Sequence, residues 1–512
     1  MDKQQQIPFP DEEMFADLLT GSDGLPPDEV VGAVTPWKKA IRRILIGQVL
    51  TTITFNFYGL NYLLPLIGMI LSLLGLRTLR RENRWLKGCF YLAVLRLGML
   101  MVQLLGNTTI RVDLLMDTLP YSGQLQWAVT FLGIGLVLGT VLCLWQGLRA
   151  IRQKAGLPPD THSGAALLIW YGVTCILAFV NYNGLILPLL MLIAYLLIIR
   201  SIFKLSHSLD EAGYLVKPSP VRLPDWTVTA VITGILAVGA AISYLFLSGY
   251  PMDWQPVETV ESSERTEICE QLIQLGFPEE ILEDLTDEDI LACKDAVTVV
   301  VDTHSHPVND GRQVMEGTED HRVYRTVYDV EELQITGIAV QLSGERESWK
   351  IFHHFVWTVD PGFPGTESIQ MWPAWRLSEG WWKDGEVSGQ LLVDRDGQTY
   401  TASYAYLGNQ GYTSNSFMFS GQPQNDLFAA FSLPRWGENK RGYVSYTVSE
   451  VSDGWIIDSW FNYSHQRSWL QYPVQSAMEN QISGSWNLNG VFKEVQDALQ
   501  FYPSEEGIEM LS

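Results

Sequence analysis

The sequence predicts an α-helical transmembrane bundle of about seven spans, built partly on an internally duplicated hairpin, followed by a soluble, mainly-β domain of sandwich or jelly-roll type with a short helical collar. Three observations carry this. Long apolar runs are confined to residues 37–248, and the hydrophobic period shortens to an alternation from about Val297. The charge is also lopsided, since residues 251–512 hold 42 of the 57 acidic residues but 15 of the 34 basic ones. A bilayer core calls for roughly 20 consecutive apolar residues, whereas period-two alternation is what a half-buried strand calls for.

Residues 1–36 are acidic, contain Pro8, Pro10, Pro26 and Pro27, and lack the basic start and apolar centre of a signal peptide. They read as a cytoplasmic tail. In the bundle over 37–248, spans are expected near 41–57, 61–79, 88–105, 127–147, 164–181, 184–203 and 227–248. Basic residues in short loops are retained on the cytoplasmic side during insertion. Lys38, Lys39, Arg42 and Arg43 precede the first span, Arg77, Arg80, Arg81, Arg84 and Lys87 follow the second, Arg149, Arg152 and Lys154 the fourth, and Arg200 and Lys204 the sixth. The alternate loops carry only Arg111. This bias predicts a cytoplasmic N-terminus, and an odd number of spans then puts the chain after Ser248 outside.

FNFYGLNYLLPLIGMILSLLGLRTL resembles VNYNGLILPLLMLIAYLLIIRSI: Asn56 and Gly59 match Asn181 and Gly184, Pro65 matches Pro188, and Arg77 matches Arg200. A GLPPD segment precedes each copy, at Gly24–Asp28 and Gly156–Asp160. A duplicated helical hairpin explains the match, in the manner of the parallel repeats of some transporters. The Asn-x-x-Gly turn follows from backbone needs, because Gly accepts angles that other residues resist and Asn tolerates them. Asn56 and Asn181 are also candidate functional residues at the repeat interface. Arg96 lies in the middle of the third span, where a charge is costly and faces a partner, a cavity or the bundle interior.

Residues 255–296 show helical spacing broken at Gly276 and Pro278 and form the expected collar. Cys269 and Cys293 would staple its ends if bonded, the spacing alone leaving that open. The domain over 297–512 is read as short strands rich in β-branched and aromatic residues, with Asp394-Arg395-Asp396-Gly397 as a hairpin turn. NGVFKEVQDALQF, with Val491, Phe492, Val495 and Leu499 at helical spacing, is expected to close the domain as an amphipathic helix.

Twelve of the 18 tryptophans lie from Trp254 onwards, and Trp372, Trp375, Trp381 and Trp382 are candidate ligand-binding rings, although such rings also fill sandwich cores. Asp302, His304 and His306 alternate along one strand, so a carboxylate and two imidazoles share a face, the donor set of a weak metal candidate. No GxSxG, HExxH, Walker loop or GxGxxG occurs, which argues against an enzyme and for no cofactor. The acidic domain would repel nucleic acid. The expected function is therefore a membrane-anchored cell-surface binding or sensing protein whose partners are the bilayer and an envelope glycan or protein. The alternative is a transporter or transporter accessory subunit using the duplicated hairpin. A bacterial cell membrane is the expected location.

Overall fold

The computed structural model describes residues 36–512 apart from 160–161, 181, 183, 213, 215, 217–218, 258–261, 319–320, 377–379, 414–422, 453, 470, 484–489, 505–506 and 512. The expected tail and the first GLPPD segment lie outside the described residues, as does Asn181. An N-terminal helical region is followed by a mostly-β domain of antiparallel sheets. By contacts the chain divides into a helical unit, up to residue 104 and over 119–237, and a β unit, 105–118 and 238–512.

The long helices are α1 (Pro36–Thr52), α2 (Leu60–Leu79) and α3 (Arg84–Gly106), then, after the short α4 (Arg111–Thr118), α5 (Ser122–Lys154), α6 (His162–Phe179), α7 (Ile186–Glu211) and α8 (Asp225–Phe246). Six of them, α2, α3, α5, α6, α7 and α8, are long and apolar enough to cross a membrane. The first apolar run forms α1, which is 17 residues long and carries Lys38, Lys39, Arg42 and Arg43 in its first half. Glycines set how α1 meets α2: a Cβ on Gly68 would lie 2.6 Å from Gly47 O, and one on Gly75 would lie 2.6 Å from Ala40 O. Without side chains there, the two backbones approach closely, and van der Waals contact replaces the hydrophobic drive that a lipid-like solvent does not supply.

Ionic contacts tie the helical unit together. Asp225, at the start of α8, takes Arg43 Nη1 at 2.6 Å and also pairs with Arg77. Buried Glu82 accepts from Lys154 Nζ at 3.1 Å and from Tyr214 Oη at 2.9 Å. Deeper in the bundle, Thr52 Oγ1 lies 2.5 Å from Tyr171 Oη and 3.1 Å from Tyr195 Oη, with Gln48 Oε1 3.4 Å from Tyr171 Oη.

The β unit continues with β1 (Gln255–Pro256), the short helices α9 (Ser263–Gln274), α10 (Glu279–Leu282) and α11 (Asp287–Leu291), and β2 (Ala296–His306). Strands β3 (Arg312–Thr318), β4 (His321–Val327), β5 (Leu333–Leu342), β6 (Ser348–Trp357), β7 (Glu367–Trp372), β8 (Trp381–Arg395) and β9 (Gln398–Ala402) follow. Then come β10 (Tyr406–Thr413), β11 (Pro423–Phe431), β12 (Glu438–Glu450), β13 (Ile457–Gln466), α12 (Ala477–Ser483), β14 (Phe492–Ser504) and β15 (Gly507–Met510). One sheet runs β1-β9-β8-β12-β6-β5-β2, the other β10-β11-β7-β13-β14-β15, and β3-β4 stand apart as a hairpin. The turn after β8 has Asp396 at φ 52° and Gly397 at φ 78°, the paired positive angles that match the twist of the flanking strands.

Alternation explains the layers. Ile351, Phe355, Leu391, Val444 and Tyr446 of one sheet meet Ile369, Met371, Leu427, Phe461 and Leu499 of the other in one buried core. The opposite face of β5, β6 and β12, with Ile338, Val340, Phe352 and Tyr443, is covered by Ile268, Leu272, Phe277, Ile281 and Ile290 of the short helices. The expected C-terminal helix is instead strand β14, paired along its length with β13. Val495 and Leu499 suit a helix by spacing, yet Val495, Leu499 and Phe501 all reach the core from a strand, and a full ladder with β13 outweighs a weak local preference. Cys269 and Cys293, whose bonding the spacing leaves open, sit in the small core beneath the helices as free thiols. Cys293 Sγ donates to Asp289 O at 3.4 Å, which serves a packed thiol, and burial pushes that thiol up to about 12.

Candidate functional site: an aromatic cleft on the six-stranded sheet

The outer face of the six-stranded sheet is built by the same alternation that fills the core. Along β7, Ile369 and Met371 point inward, so Gln370 and Trp372 point out. Along β13, Ile457 and Phe461 are inward, which leaves Asp458 and Trp460 outside. Trp460 and Trp372 face each other across the ladder, with ring centroids 5.8 Å apart. Trp455 forms the rim, its ring lying so close over Gly380 that a Cβ there would overlap it. Together with Pro373, Ala374, Arg376, Ile456 and Asp458 these rings enclose a cleft of about 140 Å³.

Arg376 is held in place from below. Its guanidinium carbon stands 4.4 Å over the Trp372 ring, where the ring's electron-rich face attracts the cation. Arg376 Nε lies 2.9 Å from Asp426 Oδ1, and Nη2 donates to Gln424 Oε1 at 2.9 Å. The fully buried Asp426 also receives Gln370 Nε2 at 2.7 Å and Tyr412 Oη at 2.7 Å. Burial, followed by the hydrogen bond and charge of Asp426, pushes the Tyr412 phenol up to about 12, so it remains a donor. Arg376 Nη1 has no partner among the described residues, and Asp458 is oriented by Gln500 Nε2 at 2.7 Å. The cleft thus presents apolar ring faces beside a fixed cation and a carboxylate. This arrangement can stack a ring and hydrogen-bond its polar edge; nothing in it activates a nucleophile.

The four predicted tryptophans separate. Trp372 lines the cleft. Trp375 is half-buried and meets Tyr446 edge-on at 5.1 Å; Trp381 is a core residue whose Nε1 donates to Ile456 O at 2.9 Å; Trp382 is 70% exposed and isolated from the cleft lining. Sequence reasoning missed Trp455, Trp460, Arg376 and Asp458. The alternation in GWIIDSWFNYS puts Asp458 and Trp460 on one face, but the facing Trp372 is supplied by the β7–β13 register, which no local pattern encodes.

Asp302, His304 and His306 share a face as expected, and they gather around Asp497 of β14. His304 Nδ1 is 3.1 Å from one oxygen of Asp497 and His306 Nε2 is 3.3 Å from the other, while Asp302 Oδ1 is 3.5 Å from His304 Nε2. Burial alone would raise Asp497, but the hydrogen bonds from His306 and Ala498 N–H and the charges of both imidazoles hold its carboxyl below the ordinary value. Among the described residues no group of three His, Cys, Asp or Glu has the arrangement to hold a metal. In the helical unit Asn56 is exposed. Arg96 is half-buried in α3 with no hydrogen bond or ion pair among the described residues, and Tyr171 and Cys89 are the ionisable groups near it.

Comparison with protein-family models and with curated proteins finds no match to this chain, so the reading of the site rests on its own side chains.

Proposed function

We propose that this is a membrane-anchored binding or sensing protein whose β unit recognises a ring with one apolar face and one hydroxyl-bearing edge, such as a sugar unit of an envelope glycan. The observation that carries the proposal is the facing pair Trp372 and Trp460 beside the buttressed Arg376. Tryptophan rings take the apolar face of a sugar, and charged groups at the edge orient its hydroxyls. The small volume suits one ring rather than an extended ligand. In the proposed topology α1 is the first of seven crossings, the N-terminus is cytoplasmic and the β unit lies outside, supported by the basic loops. Spans one and two and spans five and six are the two copies of the duplicated hairpin.

The test is calorimetric titration of the full chain in detergent with envelope-derived sugars. Binding that Trp460→Ala abolishes and Trp382→Ala leaves intact supports the reading. Binding unaffected by Trp460→Ala and Arg376→Met refutes it. A second reading, transport, is favoured by Arg96, which has no ion-pair partner among the described residues, because an intramembrane charge is a candidate pathway residue. Solute flux into proteoliposomes that Arg96→Gln abolishes would support it.

A further inference from the structure

In the helical unit, α1 and α7 leave between them a groove of about 380 Å³, lined by Leu45, Ile46, Val49, Leu196, Ile199 and Phe203, and closed by Arg42 and Arg200. The helices meet at Tyr195 and Thr52, and both arginines lie farther along, Arg200 toward the end of α7 and Arg42 toward the start of α1. Arg43 and Arg77, by contrast, both pair with Asp225. Arg42 and Arg200 are exposed and have no hydrogen-bond or ion-pair partner among the described residues. The pairing differs although Arg77 and Arg200 occupy matching places in the sequence repeat.

We infer that this groove binds an anionic phospholipid, its phosphate between Arg42 and Arg200 and an acyl chain along the apolar floor. Two uncompensated guanidiniums call for negative charge, and guanidinium grips phosphate with two parallel hydrogen bonds. The apolar lining below them calls for a chain rather than a free ion. Ile46, Leu196 and Phe203 are 41, 46 and 42% exposed, as suits side chains that lipid covers. Basic pockets between membrane helices take anionic head groups by the same charge complementarity. The groove is separate from the cleft of the β unit, so it holds whatever that cleft proves to bind.

The experiment uses the full chain in mixed micelles, with thermal midpoint and lipid affinity followed while phosphatidylglycerol or phosphatidylcholine of identical acyl chains is added. Phosphatidylglycerol should raise the midpoint in a concentration-dependent way and phosphatidylcholine should not. Arg42→Gln with Arg200→Gln should weaken phosphatidylglycerol binding about twenty-five-fold, at roughly fivefold per basic residue. Arg149→Gln, on another helix, should leave it unchanged. Equal stabilisation by both lipids, a double variant that keeps the shift, or the same shift from inorganic phosphate alone would each overturn the inference. Should the double variant not fold, Leu196→Trp fills the groove with both charges intact and must also remove the shift; retention there overturns it equally.

Discussion

The two outer faces of the β unit use the same residue types to opposite ends. On the seven-stranded sheet, Lys350, His354 and Arg441 project from the strands and meet carboxylates of α11 and of the link between α10 and α11. Lys350 Nζ is 2.8 Å from Asp289 Oδ1, and Asp284 takes His354 Nε2 at 2.9 Å and Arg441 Nε at 2.8 Å. Asp289 also accepts from Ser388 Oγ at 2.6 Å and Tyr443 Oη at 2.6 Å. Lys350 and His354 are buried with these partners beneath the short helices. On the six-stranded sheet Arg376 is buttressed in the same way by Asp426; α12 packs on this sheet too, but it does not line the cleft, whose walls are Trp372, Trp455 and Trp460. The first network is sealed beneath the short helices, whereas the second borders an aromatic cleft.

The largest effects should come from breaking the roofed face. Asp289→Ala strands Lys350 in a buried site, and the loss expected in denaturant unfolding is about 3–5 kcal/mol, because an unpaired buried charge keeps its full desolvation cost. Asp289→Leu with Lys350→Met should recover most of that loss, as apolar replacements of buried pairs do. In the core between the faces, Trp381→Ala should cost about 3–5 kcal/mol by the same measurement.

Acid tests the comparison without mutation. Burial between the sheets pushes His353 from 6.5 down to about 4. The folded state therefore binds its proton less readily than the unfolded one, so this stability is complete above pH 6.5 and is lost as pH falls toward 4. The loss is on the order of 3 kcal/mol, and His353→Gln should flatten that part of a melting-temperature profile against pH. Asp289 acts in the same direction at lower pH. Burial raises it, but Lys350 and the hydrogen bonds of Lys350, Ser388 and Tyr443 outweigh burial, so its pKa is depressed and its contribution fades as the carboxylate protonates.

The open face should answer weakly in stability and strongly in binding. Trp382→Ala, on an exposed ring outside the cleft, should change stability by less than about 0.5 kcal/mol and leave sugar titrations unaltered. A Trp382 variant that abolished binding would move the site off the cleft.

Much of the fold was legible because its signals are local. Alternation in LQITGIAVQL and SWKIFHHFVWTV marks β5 and β6, and Asp396-Gly397 marks a turn whose geometry needs those residues. Six apolar helices are readable from length and composition. The failures share one cause. In VFKEVQDALQF the spacing of Val495 and Leu499 satisfies both periods, and only the ladder with β13 selects strand. The bonding of Cys269 and Cys293, which spacing leaves open, is likewise decided by tertiary contacts: they share one small core as free thiols, and Cys293 Sγ hydrogen-bonds the Asp289 carbonyl.

The sequence by itself determined the segregation of apolar helices from acidic strands and the inward or outward sense of positions in strands such as β13, because periodicity and hydropathy act over a few neighbouring residues. Only the tertiary structure decided which outward residues meet. Trp372 and Trp460 become a pair through the β7–β13 register, Asp497 reaches His304 and His306 from a strand far along the chain, and Arg77 finds Asp225 while Arg200 has no partner among the described residues. Those outcomes depend on contacts between residues far apart in sequence, which no local pattern encodes.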